Sequence, residues 1–374
     1  MITLSKHPGE ITGYTSLILD GLRILAALFV LISHVFTHWF PSTSETLFFD
    51  KAAHFGVIVF FVLSGYVIAY TTIKKNRGGS QYMAARFSRL YAVVFPALLI
   101  TAMIQITVYF LDHNLYEEFS RSPSWIRYAL SSLFLNEVWL FSAGPPINGP
   151  LWSLGYEFWY YIIFGVFFYK GAGWKWFLPG ILACLVAGPK ILLMMPIWLF
   201  GYLIFRYPIS VKSKTLSWSI VVVCFLLAAM VFMYVPAFPS KIGFEPLFFS
   251  NQFLTDWILG FCVASGLWFM PAAKRRRSTP ALVTIRQAAD LTFPVYVLHF
   301  PLMILYDAIF KHKINQIAAL FVPFIAIITV SVIIGLYLEK YRYLWVDLFN
   351  WATANLAHLV EWNKNLLKMQ SRKY

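Results

Sequence analysis

Apolar residues run along most of this chain in blocks too long for the core of a soluble domain, and the polar residues fall between the blocks. Read as membrane spans, uninterrupted apolar stretches of about 17 to 25 residues predict helices over 17–36, 55–73, 91–111, 151–169, 176–188, 191–206, 216–235, 253–271, 291–310 and 316–338. The fifth and sixth are short and are separated by Gly188, Pro189 and Lys190, a composition that suits a tight turn at the membrane edge. Residues 128–141 are apolar as well, but too few for a comfortable span, which predicts a re-entrant or interfacial segment there. The expected fold class is an all-α polytopic integral membrane protein with about ten transmembrane helices and no internal repeat.

Composition agrees: of 374 residues, 60% are hydrophobic and only 12% charged, well beyond a soluble domain. The net charge of +14 could suggest nucleic acid, but the basic residues lie in the loops and form no patch interleaved with exposed aromatics, so no nucleic-acid partner is expected. Their distribution sets the orientation instead. With the N-terminus in the cytoplasm, 22 Lys and Arg fall in inner segments and seven in outer ones, with Arg23 alone inside a span. This positive-inside bias predicts a plasma-membrane protein with both termini cytoplasmic. The first sixteen residues lack a cleavable signal pattern, so the first span is expected to be retained. The tail over 343–374 places Trp345, Leu348, Trp351, Leu359, Trp362 and Leu366 among basic residues, predicting an interfacial helix. The chain thus divides into a transmembrane domain, 1–340, and a cytoplasmic amphipathic tail, 341–374. Cys184, Cys224 and Cys262 sit in apolar runs at unrelated spacings and read as packing residues, with neither a disulfide framework nor a metal site indicated.

The first span, "LDGLRILAALFVLISHVF" (19–36), carries Arg23 and His34, although a charged group in hydrocarbon costs on the order of 3 kcal/mol or more. Eleven residues amount to about 20° past three full turns and about 16 Å of rise, so both side chains leave one face of the helix, Arg23 toward the cytoplasm and His34 near the outer end. "GPLWSLGYEFWYY" opens the fourth span with Ser153 and Glu157 one turn apart, at a depth that places them level with His34. A carboxylate beside an imidazole raises its basicity and fixes its tautomer. At the opposite side "RFSRL" carries Arg86 and Arg89, two guanidiniums able to grip phosphates. Ordinary alternatives are snorkelling for Arg23, a helix cap for His34 and positive-inside anchoring for Arg86 and Arg89.

Together these stretches resemble a known family. "DGLRILAALFVLISH" matches the Arg-x10-His pattern of the membrane-bound acyltransferase 3 family, "HFGVIVFFVLSGYVI" (54–68) its second-span pattern and "RFSRL" its Arg-x-x-Arg pattern; "LWSLGYEFWYY" and "FPVYVLHFPL" (293–302) resemble two later motifs. The similarity covers about residues 17–340 in the family order. It implies an enzyme that transfers an acyl group, acetyl by default, from cytoplasmic acyl-CoA to a hydroxyl of an envelope sugar or glycan, within a central acyl-CoA and acceptor cavity. Acyl-CoA would be a co-substrate, with no permanently bound cofactor, and carbohydrate acceptor and membrane lipids would be the other partners. Longer family members add a hydrolase-like domain after the last span, so the expectation is that this chain completes the transfer itself. On that reading Arg86 and Arg89 meet the CoA phosphates, the pantetheine arm passes Arg23, and the thioester reaches His34, which acts as general base or acyl carrier with Glu157 orienting it. Trp152, Ser153 and Tyr156 would line the acceptor side, and His299, mid-span, is a further substrate-side candidate; His54 and Asn136 are open in the same way. Two other classes compete: a transporter or flippase of a lipid-linked glycan, which would favour inverted repeats, and a non-catalytic scaffold.

Overall fold

The computed structural model describes residues 2–4, 14–40, 46–75, 78–171, 174, 177–271, 280–311 and 317–355. It is all-α apart from one short antiparallel pair, β1 (Ile2–Leu4) with β2 (Ile209–Val211). The helices are α1 (Tyr14–Trp39), α2 (Thr46–Lys75), α3 (Gly79–Leu111), α4 (His113–Phe119), α5 (Ser124–Ser132), α6 (Trp152–Phe168), α7 (Phe177–Arg206), α8 (Lys214–Tyr234), α9 (Phe253–Trp268), α10 (Pro280–Phe310) and α11 (Phe321–Lys340). Among the described residues seven of them, α1, α2, α3, α7, α8, α10 and α11, are long and apolar enough to cross a membrane. The remaining two predicted spans, α6 and α9, are only 17 and 16 residues long.

The predicted fifth and sixth spans form the single element α7, broken at Gly188, whose φ of 78° is left-handed and open to glycine at little cost. Contacts on either side of the break run in opposite directions along α6. Phe177 and Gly180 meet Phe167 near the C-terminal end of α6. After the break, Lys190 lies by Tyr156 through Ser250, Trp198 packs on Tyr160 and Phe164, and Tyr202 on Phe164. The chain therefore turns back at Gly188, and only the second arm, with 18 residues from Pro189 to Arg206, has a full span's length.

β1–β2 pairing places the N-terminus and the α7–α8 connection at one end of the bundle, where Arg206, Lys212 and Lys214 also lie; this is the basic end. α2 packs on α1 and α7, and α10 on α1, α3 and α11. At the α2–α7 contact Gly65 faces the Trp198 carbonyl and Gly201 the Val62 carbonyl, with no room for a Cβ at either, the small-residue close approach by which membrane helices pack.

Two non-helical segments fill the other end. Residues 133–148 fold back into the bundle: Phe134 stacks on Phe158 at 4.5 Å and meets Tyr91, and its carbonyl accepts from Trp159 Nε1 at 3.0 Å. Glu137 bonds Lys190 at 2.6 Å with both side chains buried, and Trp139 N–H donates to the Ala187 carbonyl. Irregular backbone is tolerated where protein buries it, as at Phe134, Asn136, Glu137 and Asn148, while Leu133, Trp139, Leu140 and Phe141 stay exposed. The segment 128–141 is thus helical to Ser132 and then re-entrant. Removing one partner of so buried a pair would cost about 3–5 kcal/mol. Residues 235–252 precede α9 at the same end; 236–246 is mostly exposed, and only the last residues, Ser250, Asn251 and Gln252, are buried.

Beyond α11 a helix over 342–355 continues the chain. Trp345 and Phe349 pack on Tyr91, Phe87 and Phe95 of α3, while Leu348 and Trp351 remain exposed. The expected tail helix is therefore anchored on α3 through its described part; Leu359, Trp362 and Leu366 lie outside the described residues.

Candidate active site

α3 begins at Gly79, twelve residues before the predicted span. Arg86 and Arg89 therefore project from within a helix and reach the bundle interior rather than its rim. With Arg23 they line one cavity, together with Ser64 and Val67 of α2, Glu157 and Tyr161 of α6, and Tyr296 of α10. Arg23 lies 3.7 Å from Asp20. Arg86 is 9% exposed, donates to Thr71 Oγ1 at 2.9 Å, and keeps its Nε without a partner. Arg89, half-buried, makes no hydrogen bond or ion pair among the described residues. Glu157 is the single carboxylate in the lining. With Asp20 beside Arg23, three guanidiniums face two carboxylates, which leaves positive charge over in a partly desolvated space, the electrostatics of an anion site.

Glu157 does not lie beside His34. Its Oε1 accepts from Ser64 Oγ and Tyr161 OH, each at 2.5 Å, and Trp198 Nε1 donates to Ser64 Oγ at 3.1 Å. The expected level pairing assumed that α6 starts at the membrane surface. It starts inside the bundle, because 133–148 folds back before it. Asn148, just ahead of α6, donates through Nδ2 to Thr101 Oγ1 and to the Val297 carbonyl. Ser153 is one turn deeper, against Tyr296 OH at 2.7 Å, and Glu157 deeper again, lining one cavity with Arg23.

His34 instead meets His299. His34 Nδ1 lies 2.8 Å from His299 Nε2, with the two rings edge to edge and nearly coplanar, 13° apart with centroids at 5.0 Å. His299 is 1% exposed, and its Nδ1 lies 2.7 Å from the Tyr296 carbonyl. α10 is fixed here by its own sequence: Pro301 has no N–H for the Val297 carbonyl four residues back, and Asn148 takes that acceptor. One turn further along α1, His38 bonds Asp307 Oδ2 at 2.6 Å and Trp39 Nε1 donates to Asp307 Oδ1 at 2.8 Å. The cavity ends at Tyr296 and Ser153, about one turn of α10 from His299.

Of the residues singled out from sequence, the cavity gathers Arg23, Arg86, Arg89, Ser153 and Glu157, while His34 and His299 form a separate pair beyond it. Trp152 and Tyr156 are packed, not cavity-lining. Trp152 stacks between His54 and Phe249, and buried Tyr156 bonds Ser250 Oγ at 2.9 Å. His54 is paired with buried Asp256 at 2.8 Å, and Asn136 is buried. Ser64, Tyr161, Tyr296 and Asn148 were not singled out. Ser64 and Tyr296 nevertheless stand inside the stretches 54–68 and 293–302, and Ser64 is the one hydroxyl-bearing aliphatic residue in the former. Among the described residues no cluster of His, Cys, Asp and Glu could hold a metal.

Comparison with known proteins identifies the arrangement. An acyltransferase-domain family model, of the acyltransferase 3 type, matches residues 17–338. The chain is 27% identical to an O-acetyl transferase of Shigella phage Sf6 over 242 residues, covering 59% of this chain and 70% of that protein. It is 29% identical over 158 residues to the acyltransferase MdmB of Streptomyces mycarofaciens, covering 40% of this chain and 38% of that protein. A third relative, protein 2 in the picA locus of Rhizobium radiobacter, is 33% identical over 115 residues, 29% of this chain and 53% of that protein. No solved structure matches the chain. The motifs, the polytopic helical bundle and a match over most of its length together show that the chain belongs to the acyltransferase 3 family of integral membrane proteins.

Proposed function

We propose that this protein transfers an acyl group, acetyl in the simplest case, from cytoplasmic acyl-CoA to a hydroxyl of an envelope sugar or glycan. The observation that carries the reading is the arginine-lined cavity closing within about one helical turn of a paired histidine. The basic end faces the cytoplasm by the positive-inside bias. CoA phosphates bind Arg86 and Arg89 there, and the pantetheine arm runs past Arg23 and Glu157 toward Tyr296. The thioester is then presented to His34, about 16 Å above Arg23 on α1.

At that point the acceptor oxygen attacks the thioester carbon, the C–S bond breaks, and the hydroxyl proton passes through His34 to the departing thiolate, giving the ester and free CoA. Glu157 holds Ser64 and Tyr161 in place beside the arginines and balances part of their charge. The phage relative, named an O-acetyl transferase, supports acetyl as the group and oxygen as the acceptor atom.

The test is to incubate the purified protein with acetyl-labelled acetyl-CoA and a panel of sugars, lipid-linked glycans and peptidoglycan fragments. Label appearing as an alkali-labile ester on one acceptor class, with release of CoA in equal amount, is expected. A protein that binds or moves glycans across vesicles but never esterifies them would overturn the reading in favour of transport.

A further inference from the structure

We propose that His299 is a positioning residue that fixes the tautomer of His34, leaving the His34 Nε2 lone pair free as the base; the inference rests on the reading of His34 above. The argument is one of hydrogen-bond inventory. His299 Nδ1 faces two backbone carbonyls, of Tyr296 at 2.7 Å and Val295 at 3.2 Å. A carbonyl oxygen only accepts, so Nδ1 carries the hydrogen. In a neutral imidazole the other nitrogen, Nε2, is then an acceptor, and the atom opposite it at 2.8 Å is His34 Nδ1. His34 Nδ1 must donate, which leaves His34 Nε2 unprotonated.

The free imidazole ordinarily has no such constraint, and a partner that fixes one nitrogen decides what the other can do. In the Ser-His-Asp arrangement a buried carboxylate does this for a catalytic histidine. Here a neutral, fully buried histidine backed by a main-chain carbonyl takes that place. Its ring cannot drift: it is 1% exposed, bonded at both nitrogens, and edge-on to Phe300 at 6.4 Å. When His34 Nε2 accepts the acceptor's proton, the same Nδ1–H continues to donate to His299. The bond then becomes charge-assisted and shorter, which stabilises the imidazolium formed during transfer. No proton passes to His299, and no bond to it is made or broken.

The prediction is read first by tautomer. In full-length protein labelled with ¹⁵N-histidine, long-range proton–nitrogen correlation distinguishes Nδ1–H from Nε2–H, and the His34 signals are assigned by their loss in His34→Ala. His34 is expected as the Nδ1–H form in the wild type and in His299→Gln, whose side-chain carbonyl still accepts. It is expected to move to the Nε2–H form in His299→Leu. Turnover with whichever acceptor class the labelling experiment returns should follow: kcat falls about 10²-fold or more in His299→Leu at unchanged KM for acetyl-CoA, and recovers to within about tenfold of wild type in His299→Gln. Nε2 protonation of His34 in the wild type overturns the role of His299. So does a folded His299→Leu protein with wild-type kcat. If the leucine variant does not fold, the wild-type and glutamine spectra decide alone. Activity surviving in His34→Ala overturns the reading of His34 itself, a separate result from either spectrum.

Discussion

His34→Ala is expected to abolish acyl transfer while leaving acyl-CoA affinity nearly unchanged. The general-base contribution sets the scale, about 10² to 10⁴ in rate. Binding is spared because the proposed phosphate grip lies in the first third of α3, toward the basic end, while His34 lies near the far end of α1, about 16 Å from Arg23 along the helix. Fold is spared too. His34 is half-buried, and the α1–α2 contact is carried by close packing of Gly56 on Ala26 and Val30 below it. Titration of acetyl-CoA alongside turnover, on one preparation, separates the two effects; a folded variant with near wild-type kcat would return His34 to a structural role.

The second large effect is expected at the other end. Arg86 and Arg89 replaced together by alanine should lower acyl-CoA affinity about 10²-fold or more, since each charge-assisted contact contributes about 1.5 to 3 kcal/mol. Added salt should weaken wild-type binding in the same direction. The two residues differ as probes. Arg86 is buried and donates to Thr71, so its loss also breaks a hydrogen bond that ties α3 to α2. Arg89 has no partner to lose among the described residues, so Arg89→Ala should leave thermal stability unchanged and report ligand affinity alone. Affinity unchanged in the double variant would reduce both to positive-inside anchors.

Which parts of this were legible in the sequence depends on what each inference needed. The spans were legible because hydrocarbon imposes its length on any helix that crosses it, and the pairing of Arg23 and His34 on one face needed only the pitch of α1. The Gly188 turn was legible from its Gly-Pro composition. Depth was not. It requires knowing where each helix begins, and α6 begins inside the bundle because 133–148 folds back, held by Glu137 on Lys190 and by Phe134 among aromatics. That non-local packing carried Glu157 away from His34 and down to the arginines. The same limit hid the partner of His34. His299 is 265 residues further along the chain, and nothing local to α1 or α10 indicates that they pack with these two rings in register. Trp152 and Tyr156 illustrate a further ambiguity: aromatic residues suited to a sugar ring are equally suited to a packed interior, and here they lie in one with Phe61 and Phe249.

A vectorial assay in sealed proteoliposomes tests the central claim most directly: that acyl donor enters at the basic end and the group is delivered at the other. The vesicles are sorted by orientation through impermeant labelling of a cysteine placed at Ser80, near the basic-end start of α3. Acetyl-labelled acetyl-CoA is supplied on the side of the basic end, and an impermeant accepted glycan is confined to the opposite side. The account predicts that ester label appears on the glycan across the membrane, and that it does not appear when donor and acceptor compartments are exchanged. Labelling only of glycan on the donor's own side, or equal labelling in both arrangements, would contradict it.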